Sequence, residues 1–183
     1  MYNGIMALKP QDIYVVLKLA AAGERRVPYS HVAVELVMSP SEVHASVKRA
    51  QASGLLHGPS LHDRPNIAAL EEFLAHGLKY AFPAERGEMT RGVPTSYGAL
   101  PLRGMILPGD EPIPVWPYAE GKQRGISFAP LYKTAPGAAL RDERFYALLS
   151  LADALRDGRV RERKLAETEL HRLLVGANAE VKP

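Results

Sequence analysis

Residues 28–56 read PYSHVAVELVMSPSEVHASVKRAQASGLL and carry the strongest structural signal in the chain. Ser39, Pro40 and Glu42 are typical of a helix start, because Ser caps free amides, Pro fits the first turn and Glu completes a capping box. Apolar residues at helical spacing lie on both sides of this start, namely Val32, Ala33 and Leu36 before it and Val43, Val47 and Ala50 after it. The pattern predicts two short helices joined by a turn of three or four residues.

Two helices joined in this way form a helix-turn-helix, whose second helix enters the DNA major groove. Residues 8–80 resemble bacterial winged helix-turn-helix transcriptional regulators. The stretch SPSEVHASVKRAQASGLL, residues 39–56, is similar to the recognition helix of these proteins and the segment that leads into the wing. The resemblance implies that the chain binds double-stranded DNA and regulates transcription, with a repressor-like role. An ordinary helical hairpin, or a winged helix that binds protein, remains an alternative.

Val37 lies in the turn, where this family often has a glycine in the left-handed conformation. Positive φ is unfavourable for a β-branched residue. We therefore expect a turn that is longer or wider than usual.

The outer face of the second helix is the candidate for reading bases. If Val43 and Val47 face the core, the side chains near the helix start face away from it. His44 and Lys48 would then donate hydrogen bonds to guanine, and Ala45 would contact a thymine methyl group. This face would otherwise be an ordinary solvated helix surface.

Other residues of this region are candidates for contacts with the DNA backbone. Ser39 and Ser41, together with the helix amides, would bind a phosphate. Arg49 lies further round the helix and is expected to touch the DNA backbone or solvent. His62 and Arg64 lie in the predicted wing and would reach the minor groove or its phosphates.

The remaining elements of the first segment are also helical. Residues 8–22 predict a first helix, residues 55–64 a small wing of two strands, and residues 67–82 a fourth helix with a broad apolar face. Residues 1–82 are therefore expected to form a winged helix-turn-helix DNA-binding domain.

Composition changes in the second segment, residues 83–183. Proline and glycine are dense in residues 83–137, which excludes long helices, while several aromatic residues indicate order. Residues 114–132 contain two apolar runs around a glycine-rich turn and predict a short β-hairpin.

Two C-terminal helices are predicted after this segment, one capped by Asp142 and one over residues 159–176. The expected fold is mainly α, a winged helix-turn-helix domain followed by a Pro/Gly-rich segment with a hairpin and two helices. The helices carry more apolar residues than a proline-rich coil could cover. We therefore expect residues 83–183 to serve in dimerisation or partner contact.

A cluster of five cations lies at the junction of these helices: Arg156, Arg159, Arg161, Arg163 and Lys164. A solvated surface with salt bridges is one interpretation of this cluster. Contact with nucleic acid phosphates or with an acidic partner protein is the other.

Composition limits the function further. The 183 residues have a formal net charge of +3, so DNA binding would need a few well-placed cations from two copies, which favours a homodimer. There is no cysteine, and no apolar run approaches the ~20 residues of a membrane span. The start of the chain lacks the features of a signal peptide, and we expect a cytoplasmic protein.

No catalytic, cofactor or metal-binding motif is recognisable. His57 and His62 are five residues apart, but neither cysteine nor a carboxylate cluster accompanies them. We expect neither an enzyme nor a bound cofactor or metal. Two alternatives remain open: an antitoxin-type protein that binds a partner enzyme through residues 83–183, and an enzyme without a recognisable motif.

Overall fold

The computed structural model describes residues 7–58, 63–106 and 109–179. Its helices are α1 (Pro10–Ala22), α2 (Tyr29–Leu36), α3 (Pro40–Ala52), α4 (Ile67–Glu72), α5 (Leu78–Ala81), α6 (Ala135–Ala139), α7 (Glu143–Asp157) and α8 (Val160–Ala179), with a π-helical turn (Phe73–Gly77) joining α4 to α5 and a 3-10 turn at Ser96–Gly98. Its strands are β1 (Arg86–Pro94), β2 (Pro114–Pro117) and β3 (Gln123–Phe128). The prediction of a mainly helical chain with a small β component is confirmed.

A buried ion pair holds α3 against α1. Asp12 lies in the first turn of α1 with its side chain fully buried, and Arg49 of α3 reaches it through Nε at 2.8 Å and Nη2 at 2.6 Å. The prediction that Arg49 touches the DNA backbone or solvent is therefore wrong. A buried carboxylate needs a cation and hydrogen bonds to offset its lost hydration, and Arg49 supplies both.

The turn between α2 and α3 is short. Only residues 37–39 separate the two helices, and Val37 adopts the left-handed conformation with φ 54° and ψ 50°. The expectation of a longer or wider turn is wrong. The Val37 amide donates to the carbonyl of Val34 and the Met38 amide to that of Ala33, a Schellman motif whose hydrogen bonds offset the strained backbone.

The three strands form a small closed barrel. Strand β1 pairs antiparallel with both β2 and β3, while β2 and β3 lie parallel to each other. The predicted β-hairpin between residues 114 and 132 is wrong, because β1 provides the antiparallel partner for both strands. Close backbone approach requires glycine here: a Cβ on Gly92 would lie 1.9 Å from the Trp116 carbonyl oxygen.

Helix α7 lies in the middle of one hydrophobic core that both sequence segments share. The ring centroid of Phe145 on α7 is 5.3 Å from that of Tyr14 on α1. Helix α7 also packs against α5, α6 and α8. Leu148, Leu149 and Leu151 are at most 1% exposed. Other elements of this chain therefore cover the apolar side of α7, and dimerisation or partner contact through residues 83–183 stays a prediction.

Asp153 of α7 connects the barrel to the helices. Its buried carboxylate accepts hydrogen bonds from Trp116 Nε1 at 2.6 Å and Thr95 Oγ1 at 2.7 Å. Arg156 donates to the same carboxylate at 2.8 Å and also to the carbonyls of Phe82 and Ala129. The ends of α5, β1 and β3 are thereby fixed to one turn of α7.

The described helices include none that is both long and apolar enough to cross a membrane.

Replacing Val37 with glycine tests the strained turn. Glycine adopts positive φ freely, and the Val37 side chain is half exposed, so little packing is lost. We expect V37G to leave the free energy of unfolding unchanged or to raise it by up to about 1 kcal/mol. The control V34G, at an exposed position inside α2, should lower it by about 0.5 kcal/mol. Urea denaturation measures both, and equal losses would contradict a left-handed Val37.

Replacing Arg49 with methionine tests the buried ion pair. The substitution leaves the Asp12 carboxylate buried without its cation, and we expect the free energy of unfolding to fall by about 3–5 kcal/mol. The neighbouring exposed Lys48 provides the control, since K48M should change it by less than about 0.5 kcal/mol. Urea denaturation of both variants is the measurement. Similar small effects would show that Asp12 does not depend on Arg49.

Candidate nucleic-acid interface

The start of α3 has the capping box that the sequence predicts. The Ser39 hydroxyl accepts a hydrogen bond from the Glu42 amide, and the Glu42 carboxylate accepts one from the Ser39 amide at 2.9 Å. Tyr132, from the second segment, also donates to this carboxylate at 2.9 Å. Hydrogen bonds from the Ser39 amide and hydroxyl, and from Tyr132, lower the pKa of Glu42. The carboxylate therefore stays charged.

This carboxylate affects the predicted phosphate contact of Ser39 and Ser41. A phosphate at the same amides would meet the negative charge of Glu42. The Ser39 hydroxyl is engaged with Glu42 and lies 3.0 Å from the Ser41 hydroxyl. Both serines are exposed. Their contact with phosphate stays a prediction, with Ser41 the less engaged of the two.

The two faces of α3 differ as the sequence predicts. Val43, Val47 and Ala50 are at most 2% exposed and form the face that packs into the core. The residues predicted to contact bases lie on other sides of the helix, with His44 and Lys48 exposed and Ala45 half-buried. No ion pair between described residues involves Lys48. The first three turns of α3 thus present two basic side chains to solvent.

Sequence analysis missed a network of side chains, centred on Tyr29 and Asp63, that contacts α3. The Tyr29 ring contacts His44 edge-on, with centroids 6.3 Å apart. The Tyr29 hydroxyl donates to Asp63, which also accepts a hydrogen bond from the Gln51 amide group of α3. Burial and the Asp63 carboxylate raise the pKa of Tyr29, so its hydroxyl stays protonated as a donor. No local sequence pattern marks Tyr29 and Asp63 as partners, because they are far apart in the chain.

Of the predicted wing, the described residues show only one bridge, at its expected base. Leu56 and Pro65 form an isolated antiparallel bridge, and the His57 amide donates to the Arg64 carbonyl at 2.8 Å. Arg64 is exposed beside this bridge. His62, the other predicted wing contact, lies outside the described residues.

A cleft with three arginines lies beside the wing base. Its volume is about 510 Å³, and Arg25 and Arg26 from the loop after α1 line it together with Arg64. Glu24 and Asp63 also line the cleft. The sequence signal that could have found it is the Arg25-Arg26 pair in a loop immediately before α2. The arrangement extends the positive charge available near α3.

The C-terminal cation cluster is only partly available to a partner. Arg156 is wrong as a phosphate or partner contact, because its side chain is only 5% exposed and binds Asp153 and backbone carbonyls. Arg159 pairs with Glu111 at 2.7 Å, and Arg163 donates to the Gly158 carbonyl. The remaining two cations, Arg161 and Lys164, are exposed on α8.

Among the described residues, no three His, Cys, Asp or Glu side chains are grouped so that they could hold a metal ion. His57 is half-buried, and the residue proposed to accompany it, His62, lies outside the described residues.

The chain matches no family model, and comparisons with curated proteins and with solved structures likewise find no significant similarity. The geometry of α3 and its surroundings is therefore what supports a functional proposal.

Proposed function

We propose that the protein binds double-stranded DNA through the outer face of α3 and regulates transcription as a winged helix-turn-helix protein. One observation carries this proposal. Helix α3 follows α2 after a three-residue turn and is fixed by its apolar face and by Arg49, while His44 and Lys48 remain exposed. A rigid helix with basic residues in its first turns is what major-groove recognition requires.

In the proposed complex, the candidate contact residues of α3 divide into two roles. His44 and Lys48 donate hydrogen bonds to guanine, and Ala45 contacts a thymine methyl group, which reads sequence. Ser41 contacts the backbone near the start of the helix. This contact fixes register and orientation but does not read sequence.

The cleft beside the wing base supplies further phosphate contacts in this proposal. Arg25, Arg26 and Arg64 all line it, and guanidinium groups bind phosphate oxygens with two parallel hydrogen bonds. Tyr29 connects the cleft to α3, since it contacts His44 and donates to Asp63. Binding in the cleft would therefore orient the recognition helix.

The proposed assembly is a homodimer. A formal net charge of +3 is small for a nucleic acid binder, and two copies double the number of phosphate contacts. Two α3 helices about 34 Å apart would read a pseudo-palindromic site over one turn of DNA. Sedimentation of the full chain, alone and with DNA, measures the stoichiometry.

The rival proposal is an antitoxin-type protein that holds a partner enzyme through residues 83–183. One argument for a partner at this segment is that its helices carry more apolar residues than a proline-rich coil could cover. Because Leu148, Leu149 and Leu151 are buried within this chain, that argument is lost for α7. DNA binding by α3 is therefore the better supported proposal.

A double substitution on α3 tests base recognition. We expect H44A/K48A to lose discrimination between selected and random duplexes, because each direct contact contributes about 1–3 kcal/mol. The control H76A/K79A removes the same residue types from positions outside α3 and outside the C-terminal cation cluster, and it should bind like the unmodified chain. Duplexes selected from a random library, followed by titration at fixed salt, provide the measurement. Equal discrimination by the α3 double variant would refute the assignment.

A second substitution tests the phosphate contacts of the cleft. We expect R25A/R26A to weaken binding to all duplexes alike and to reduce the salt dependence, the slope falling by about 1 per lost contact. Titrations at several salt concentrations measure this slope. An unchanged slope would show that Arg25 and Arg26 do not contact DNA phosphates.

A further inference from the structure

Two arginines lie directly opposite each other on the neighbouring strands β1 and β3. The register of β1 and β3 places Arg91 directly opposite Arg124, and both residues are exposed. Directly opposed residues of an antiparallel pair have their side chains on the same face of the sheet. Like charges in this arrangement repel each other and destabilise the pairing.

Neither arginine of this pair has a salt-bridge partner among the described residues. Another arginine of β1, Arg86, is paired with Asp157, whereas no ion pair between described residues involves Arg91, Arg124 or the nearby Lys122. The strand pairing therefore holds together charges that would be more stable apart.

A cavity of about 430 Å³ lies at these residues. Arg91, Lys122 and Arg124 line it, together with Glu120 and the chain between β2 and β3. Three cations against one carboxylate leave an excess of positive charge. One side of the cavity is tightly packed, because Gly121 lies so close to the backbone of Gly92 that a Cβ would be 2.4 Å away.

We propose that this cavity is a phosphate-binding site. A bound phosphate group removes the repulsion between Arg91 and Arg124, and its oxygens accept the paired hydrogen bonds of the two guanidinium groups. Lys122 adds a third positive charge. A terminal phosphate group has more acceptor oxygens and more negative charge than a carboxylate, so it fits three cations better than an acidic side chain does. The site does not depend on DNA binding by α3, which it does not include.

The test uses the full chain with inorganic pyrophosphate as the probe, followed by the amide NMR signals of Gly121 and Gly125 and by the melting temperature. Sodium chloride at equal ionic strength controls for screening. The variant is R91Q/R124Q, and the charge-matched control is R103Q/K133Q, whose exposed cations do not line the cavity.

We expect pyrophosphate to shift the two glycine signals and to raise the melting temperature of the unmodified chain and the control. In R91Q/R124Q, its dissociation constant for these signals should rise by at least about tenfold, since charge-assisted hydrogen bonds are lost. Without pyrophosphate, R91Q/R124Q should melt at the same or a higher temperature than the unmodified chain, because the repulsion is gone. That last result separates a ligand site from a structural role, in which the loss of arginine lowers stability.

Three results would overturn the proposal. The first is an absence of glycine shifts in the unmodified chain. The second is an unchanged pyrophosphate dissociation constant for these glycine signals in R91Q/R124Q. The third is a response to poly-glutamate without one to pyrophosphate, which would indicate an acidic protein partner instead.

A duplex titration identifies the source of the phosphate. If R91Q/R124Q weakens duplex binding, the phosphate belongs to a nucleic acid backbone. If duplex binding is unchanged while pyrophosphate binding is lost, the ligand is a free phosphate-bearing molecule. Both results support the site.

Discussion

The buried carboxylate of Asp153 is the interaction that joins the barrel segment to the helices. It is buried on α7, and Trp116 and Thr95 from the barrel segment donate to it. Arg156 balances its charge and extends the network to the backbone after α5 and β3. Because a buried charge without its partner is strongly destabilising, these contacts make the barrel and α7 stabilise each other. The two sequence segments form one structural unit because they share one hydrophobic core, in which α7 packs against α1.

Polar contacts with other elements also fix the position of α3. Arg49 ties α3 to α1 through Asp12, and Tyr132 from the second segment ties its first turn through Glu42. The segment after residue 83 thus contacts the base of the proposed recognition helix. A ligand or partner that moved Tyr132 would change the start of α3, so the second segment could influence DNA binding without touching DNA.

The sequence predicts the local features of the structure and misses the non-local ones. Helix starts at Ser39 and Asp142 depend on hydrogen bonds three residues away, which a short pattern contains. The partner of Arg49 is Asp12, 37 residues earlier, so periodicity alone gave it a solvent-facing position. Strand β1 contains Gly92 and no clear alternation, and its pairing with two later strands leaves no local signal. For the same reason, the sequence does not show that Arg91 and Arg124 lie opposite each other.

The central claim is that the outer face of α3 contacts DNA, and an NMR titration of the ¹⁵N-labelled full chain with a selected duplex tests it most directly. The account predicts that the amide signals of Ser41, His44 and Lys48 shift or broaden, together with those of the cleft residue Arg64. Signals of the distant helix α8 should stay unchanged. Shifts confined to α8 or to the barrel, with α3 unaffected, would contradict the claim.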